Sequence, residues 1–209
     1  MKKVVLLFCV LGIISCKKSE VAFAEAQPEK TSDLSSFPKH LLGEYYNKKK
    51  KKGLKISQFQ IVRTMVMKDT FSRKDLSKYE RITEDTLTNL QTSEKYVIKK
   101  INDSLFTNYV FVDTVFTINK DNVLRKMKGY YFLSSKSSND VWLVKKLFLK
   151  KGQLGINAIA SKEDIALLEQ ITETKRDTTT PFIVQPTKKQ FRAFIRKNGF
   201  SEGEVYLKK

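Results

Sequence analysis

Residues 105–149 decide the fold, and they read LFTNYVFVDTVFTI, NKDN, VLRKMKGYYFL, SSKSSND and VWLVKKLFL in order. The first, third and fifth segments are rich in Val, Ile, Tyr, Phe and Thr, which is typical of β-strands. The polar segments between them, residues 119–122 and 134–140, are turn-length. A parallel crossover needs a dozen or more residues, so the strands are predicted to be antiparallel neighbours in a meander.

The same pattern extends outward in both directions. Residues 54–61 alternate between apolar and polar side chains, residues 96–98 form a further strand, and residues 204–207 are predicted to be a short closing strand. Asp113 interrupts the apolar run of the first strand, which predicts a bulge there. The predicted fold class is therefore mainly β, an antiparallel meander that forms an open sheet or is barrel-like.

Two helices are predicted near the C-terminus. Ser161 precedes an apolar stripe and is followed three residues later by a carboxylate, which is the spacing of a helix N-cap. Thr187, which follows a proline, is predicted to be the N-cap of the second helix. Asn198-Gly199 predicts the end of the second helix, with Gly199 in the left-handed conformation.

The N-terminus carries an export pattern. Lysines at positions 2 and 3 precede an apolar run, residues 4–14, which is too short to span a bilayer. Ile13-Ile14-Ser15-Cys16 closes this run with an aliphatic residue, a small residue and a cysteine. The sixteen residues resemble the lipobox signal peptide of bacterial lipoproteins. An ordinary secretory signal with a chance cysteine and a buried N-terminal helix are the alternatives.

The lipobox resemblance implies that residues 1–15 are removed and that Cys16 carries a diacylglyceryl thioether and an acylated amino terminus. Two or more acyl chains make a stable anchor. The mature protein is then expected in the bacterial cell envelope, facing the periplasm. Lys17 stands where the best-known sorting rule places an inner-membrane aspartate, so the outer membrane is favoured.

The rest of the chain divides into a tether and one domain. Residues 16–36 are polar, contain Pro28 and have no apolar periodicity, which predicts a flexible tether. Residues 37–209 are predicted to be a β-rich globular domain with C-terminal helices. The second cysteine, Cys9, lies in the signal, so the domain has no thiol for a disulfide, a nucleophile or a metal.

The chain is strongly basic. It has 40 Lys and Arg against 22 Asp and Glu, a formal charge of +18. Exported protein meets anionic lipids and glycans first, so these are the expected partners beside the anchoring membrane, and nucleic acid is not expected. A lysine run is predicted to be a hairpin tip that contacts an anionic surface, with a solvated loop as the alternative: Lys48, Lys49, Lys50, Lys51 and Lys52.

Catalytic patterns are missing from the sequence. His40 is the only histidine, and there is no nucleophile elbow, phosphate loop, calcium loop or metal-histidine pair. Glu84-Asp85 and Glu163-Asp164 are adjacent in the chain, and adjacent carboxylates do not face each other across a substrate. The sequence predicts no catalytic residue, metal or cofactor.

A second resemblance is confined to residues 42–46, Leu-Gly-Glu-Tyr-Tyr. It resembles the Gly-x-Trp opening of lipocalin-like barrels, with tyrosine in place of tryptophan, and implies a barrel around an apolar cavity. The predicted function is a membrane-anchored, non-catalytic binding or structural module of the envelope. A lipocalin-like carrier of a hydrophobic ligand and an envelope hydrolase with carboxylates assembled across the fold are the alternatives.

Overall fold

The computed structural model describes residues 21–101, 104–175 and 181–209. Within them the chain forms fourteen strands and two α-helices, α1 Lys162–Thr172 and α2 Lys188–Arg196. The strands are β1 Val21–Phe23, β2 Gly43–Asn47, β3 Lys52–Ile56, β4 Gln60–Phe71, β5 Glu80–Thr83, β6 Thr86–Asn89, β7 Lys95–Ile101, β8 Ser104–Thr117, β9 Asn122–Met127, β10 Tyr130–Lys136, β11 Trp142–Lys150, β12 Gln153–Ala158, β13 Phe182–Val184 and β14 Glu202–Lys208.

The strands form one extended sheet in the order β13-β1-β11-β12-β14-β2-β3-β4-β8-β7-β6-β5, and β10 and β9 continue from the other edge of β11. Every pairing is antiparallel except β1 with β13. The predicted fold class is confirmed: the protein is mainly β, with an antiparallel meander and two helices toward the C-terminus. The sheet is open and is not closed into a barrel.

The strand from Ser104 contains a bulge near the predicted position. Ile61 of β4 pairs with Phe116, whereas the next residue, Val62, pairs with Thr114. Val115 is therefore the extra residue, two positions beyond Asp113. Asp113 instead stays in register opposite Arg63, and a bulge of this kind bends a strand locally.

The central core lies on the concave face of the sheet. Because strands from both sides of β14 supply its side chains, the sheet curls around this core. Its fully or nearly fully buried members are Phe37, Leu41, Tyr45, Leu54, Ile56, Ile61, Phe116, Leu124, Tyr131, Leu133, Leu147, Leu154 and Tyr206.

A second core lies on the opposite face of β10 and β11, under the two helices. Helix α1 contributes Ile165 and Leu168, and α2 contributes Phe191, Phe194 and Ile195. Their spacing of three or four residues places them on one face of each helix. A third, smaller cluster under β6, β7 and β8 is built on Leu87, Ile98 and Leu105.

The N-terminal segment corrects the predicted tether. Val21, Ala22 and Phe23 are completely buried, and β1 lies between β13 and β11, with Phe23 opposite Trp142. The prediction of a flexible tether over residues 16–36 is therefore wrong from Val21 onward. Residues 1–20, with the predicted signal and Cys16, lie outside the described residues.

Arg125 on β9 holds the next part of this segment. Its Nη1 donates to the carbonyl oxygens of Ala26 and Pro28, at 2.5 and 2.9 Å, and its Nε donates to Asp33 Oδ1 at 2.7 Å. One guanidinium thus satisfies three oxygens of a segment without regular structure. Such charge-assisted bonds are stronger than neutral ones.

The segment then crosses from β9 toward the turn between β3 and β4. The Leu34 amide donates to the Leu124 carbonyl of β9 at 2.7 Å, and the Phe37 amide donates to the Gln58 carbonyl at 2.8 Å. Phe37 and Leu41 are buried in the central core. The segment therefore covers the gap that the open sheet leaves.

Both helix starts are as predicted. Ser161 Oγ accepts from the Asp164 amide, and Thr187 forms a reciprocal capping box with Gln190. The predicted left-handed Gly199 is wrong, because Asn198 takes that conformation with a φ of 63°. The Gly199 amide instead closes the helix by donating to the Phe194 carbonyl at 3.0 Å. A Cβ on Gly199 would stand 2.4 Å from the Phe194 ring, so close packing requires glycine here.

Candidate functional site

The predicted lysine hairpin is confirmed as a hairpin. Residues 48–51 form the turn between β2 and β3, and Lys51 adopts a φ of 51°. Asn47 orders the turn, since its Oδ1 accepts from the Lys50 amide at 2.8 Å and its Nδ2 donates to the Val205 carbonyl at 3.0 Å. We call residues 48–52 the lysine tip.

Two of the five lysines bind Glu204 at the start of β14. The Lys50 and Lys52 Nζ atoms lie 2.7 and 3.0 Å from Glu204 Oε1. The Tyr206 hydroxyl donates to the other carboxylate oxygen. Burial alone would raise the pKa of Glu204, but the hydrogen bonds from Lys50, Tyr206 and Lys52 outweigh it and lower the pKa to about 2.

An ion pair lies beside this cluster in the neighbouring strands. Arg63 of β4 and Asp113 of β8 are cross-strand partners with bidentate contacts of 3.0 and 2.5 Å. The hydrogen bond to Asp113 raises the pKa of Arg63. Burial, and then the bond to Glu204, raise the pKa of the Tyr206 hydroxyl. Arg63 therefore stays charged and the Tyr206 hydroxyl stays neutral at neutral pH.

The other three lysines extend into solvent. Lys48, Lys49 and Lys51 are exposed, and they form no ion pair among the residues that the structure describes. Because Glu204 binds only Lys50 and Lys52, the ammonium groups of the other three lysines are available to an external anion. The sequence did not indicate Glu204, because it lies 154 positions from Lys50 in the chain.

The remaining sequence candidates are dispersed. His40 is exposed, with its Nε2 3.4 Å from the Tyr131 hydroxyl. Glu84 and Asp85 lie in the turn between β5 and β6. Asp164 is buried and its Oδ2 accepts from both the amide and the hydroxyl of Ser201. These groups do not form one site.

Within residues 21–101, 104–175 and 181–209, no group of three or more His, Cys, Asp and Glu side chains could hold a metal ion. Over the same residues, no helix is long and apolar enough to cross a membrane.

Among the residues that resemble a lipocalin opening, Tyr45 lies in the central core, whereas Glu44 is exposed. Gly43 has a φ of 137°, which glycine tolerates. Tyr45 is buried, and its hydroxyl donates to the Leu41 carbonyl at 2.8 Å. A cavity of about 150 Å³ remains between Leu54, Arg63 and Tyr206 near the lysine tip.

Comparisons with known proteins find no matching family, no similar curated protein and no similar solved structure.

Replacing Glu204 by Gln is expected to lower the free energy of unfolding at pH 7 by about 1.5–3 kcal/mol, the range for hydrogen bonds to charged groups. The folded pKa of about 2 lies below the ordinary 4.5. The stabilisation is therefore complete above pH 4.5 and disappears as the pH falls toward 2. Urea unfolding between pH 7 and 2 should show a steeper acid loss for the natural protein than for Glu204→Gln.

Glu202→Gln is the matched control, because Glu202 is an exposed carboxylate on the same strand. It should leave the pH profile unchanged. Parallel profiles for the natural protein and Glu204→Gln would contradict the role given to this carboxylate.

Proposed function

We propose that the protein is a lipid-anchored protein of the bacterial cell envelope, held at Cys16, whose folded part lies against an anionic membrane surface as a non-catalytic binding or structural module. The observation that carries the proposal is the burial of Val21 in β1. Only four residues separate it from Cys16. Five Cα–Cα steps of about 3.8 Å give a reach of at most about 19 Å.

This short connection brings the fold close to the headgroups. A tether of twenty flexible residues would reach on the order of 25 Å on average and much farther when extended. With the shorter connection the folded part stays within a few Debye lengths of the surface, each about 8 Å at physiological salt. Basic groups near the connection then contribute to membrane attachment.

The strand register supports the lysine tip as that basic group. Leu207 of β14 pairs with Tyr46 near the end of β2, so the start of β14 lies beside the tip. That start, Glu202, pairs with Ala158 at the end of β12. On the edge of β11 that also pairs with β12, β1 pairs at Trp142, the first residue of β11. The tip and Phe23 thus lie toward the same end of these strands, and Val21 lies two residues farther from that end.

Three lysines near an anionic leaflet make the free energy of membrane binding more favourable. Each contributes about 1 kcal/mol close to the surface. Together Lys48, Lys49 and Lys51 would contribute about 3 kcal/mol, roughly a hundredfold in affinity. The outer membrane is favoured over the inner one because Lys17 follows Cys16.

The packed interior favours this proposal over a carrier of a hydrophobic ligand. Side chains such as Tyr45, Leu147 and Tyr206 fill the concave side of the sheet. The cavity of about 150 Å³ at its mouth is below the roughly 300–1,000 Å³ of small-molecule sites. Charged Arg63 also lines it, which is unfavourable for an apolar ligand.

The hydrolase alternative would need a carboxylate cavity. One of about 330 Å³ lies near β5 to β8 and is lined by Asp69, Asp75 and Glu80. Each of these carboxylates accepts a backbone amide within three residues. The geometry therefore favours local turn-capping roles.

Lipidation can be tested directly in a bacterial host. Mass spectrometry of the membrane fraction should find Cys16 as the first residue, carrying the mass of a diacylglyceryl group and an acyl chain. Cys16→Ser should remain unprocessed or unacylated, because Cys9 lies within the removed segment. Unlipidated natural protein in the soluble fraction would contradict the anchor.

The lysine tip can be tested with the unlipidated chain from Ser19 onward. It should bind vesicles with anionic lipid, bind neutral vesicles weakly, and release as salt rises. Replacing Lys48, Lys49 and Lys51 by Gln should remove most of the affinity, with little change in thermal stability. The control replaces three exposed lysines elsewhere, Lys74, Lys120 and Lys151, by Gln. Equal losses for the two triple variants would show that net charge alone attracts the protein.

A further inference from the structure

Lys146 on β11 is a buried cation. Its residue is only 8% exposed, and its Nζ donates to the Gly199 carbonyl oxygen at 2.6 Å. The Tyr130 and Phe200 ring centroids lie 5.5 and 5.7 Å from Nζ, at cation–π distance. An ammonium group has three donors, so one carbonyl leaves most of its hydrogen-bonding capacity to other groups.

The nearest carboxylate is engaged elsewhere. Asp164 attracts Lys146 electrostatically, but its Oδ2 accepts from the amide and the hydroxyl of Ser201 at 2.8 and 3.0 Å. Burial lowers the pKa of Lys146, and Asp164 opposes that effect. A buried ammonium without a directly bonded carboxylate is costly, and an added anion would offset the cost.

The polypeptide around Lys146 is held in a fixed shape. Phe200 is fully buried with a φ of 64°, an uncommon conformation for an aromatic residue that surrounding contacts must maintain. Asn157 Nδ2 donates to the Phe200 carbonyl at 2.8 Å, and the Ser201 amide is bound by Asp164. The carbonyl and ring that face Lys146 are therefore preorganised.

Lys146 lines a cavity of about 610 Å³ between the sheet and the end of α2. Tyr130, Phe148 and Phe200 supply aromatic walls, and Lys128 and Lys150 add two further ammonium groups. Lys128 precedes Gly129 in the turn between β9 and β10, and Lys150 is the last residue of β11. The volume falls within the range of small-molecule sites. Among the residues that the structure describes, none with a carboxylate lines this cavity.

We propose that this cavity binds a small aromatic carboxylate, with the carboxylate paired to Lys146 and the ring packed against Phe148 and Tyr130. The charge and the aromatic walls of the cavity both favour aromatic carboxylates as ligands. Three lysines without a lining carboxylate favour an anion, and the rings offer edge and face contacts to an aromatic body. The site is separate from the lysine tip, and it supplies a ligand-binding function that membrane attachment does not need.

The test uses 2-naphthoate and its neutral amide, 2-naphthamide, with the unlipidated chain from Ser19 onward. Calorimetric titration should give saturable 1:1 binding of 2-naphthoate with a dissociation constant of about 1 mM or below. The amide should bind at least about tenfold more weakly, because it lacks the charge that pairs with Lys146. Amide NMR signals of Gly129, Phe148 and Gly199 should shift during the titration with 2-naphthoate.

Lys146→Gln removes the charge but keeps a donor for the Gly199 carbonyl. It should weaken 2-naphthoate binding at least about tenfold. Lys145→Gln is the matched control on the same strand, where the side chain points to the opposite face, and it should change binding less than about twofold. Lys146→Met provides a second neutral variant, and thermal melts verify that each variant is folded.

Absence of saturable binding by the folded natural protein would overturn the proposal. Equal affinity for 2-naphthoate and 2-naphthamide would also overturn it, and so would unchanged affinity in folded Lys146→Gln. Shifts confined to the lysine tip would assign the binding to surface charge and contradict this site.

Discussion

The incorporation of the N-terminal segment into the sheet is the constraint on which the rest of the structure depends. A curled sheet that does not close leaves a strand edge and an open side of its core, and both must be covered. Residues 21–41 do this: β1 extends the sheet beside β11, Leu34 pairs with the edge of β9, and Phe37 fills the core. Arg125 holds the irregular part between them.

This constraint also determines how function could arise. Since Val21 is buried in β1, a lipid on Cys16 would hold the domain near its membrane, where the lysine tip would meet anionic headgroups. Glu204 binds Lys50 and Lys52 of the tip. Lys146 differs from these two lysines, because its buried ammonium group lacks a directly bonded carboxylate. One carboxylate binds two of the five lysines at the tip, whereas no described residue with a carboxylate lines the cavity at Lys146.

Local patterns made much of the fold predictable. Alternation of apolar residues and short polar turns gave the meander, and side-chain oxygens at Ser161 and Thr187 marked the helix starts. The N-terminal segment was missed because a three-residue strand followed by polar residues has no periodicity, and its pairing with β13 joins residues about 160 positions apart. The Glu204 cluster and the cavity at Lys146 also depend on distant pairings. Gly199 was misjudged because steric contact with Phe194, not backbone conformation, requires glycine there.

Hydrogen exchange of the N-terminal amides distinguishes a folded N-terminal segment from a flexible tether. The amides of Ala24, Leu34 and Phe37 donate to the carbonyls of Val184, Leu124 and Gln58. If the segment is part of the fold, they should exchange far more slowly than free peptide and become exposed only with the strands they bind, as expected for one cooperative unit. Exchange at the free-peptide rate while β10 and β11 stay protected would show instead that this segment is a flexible tether.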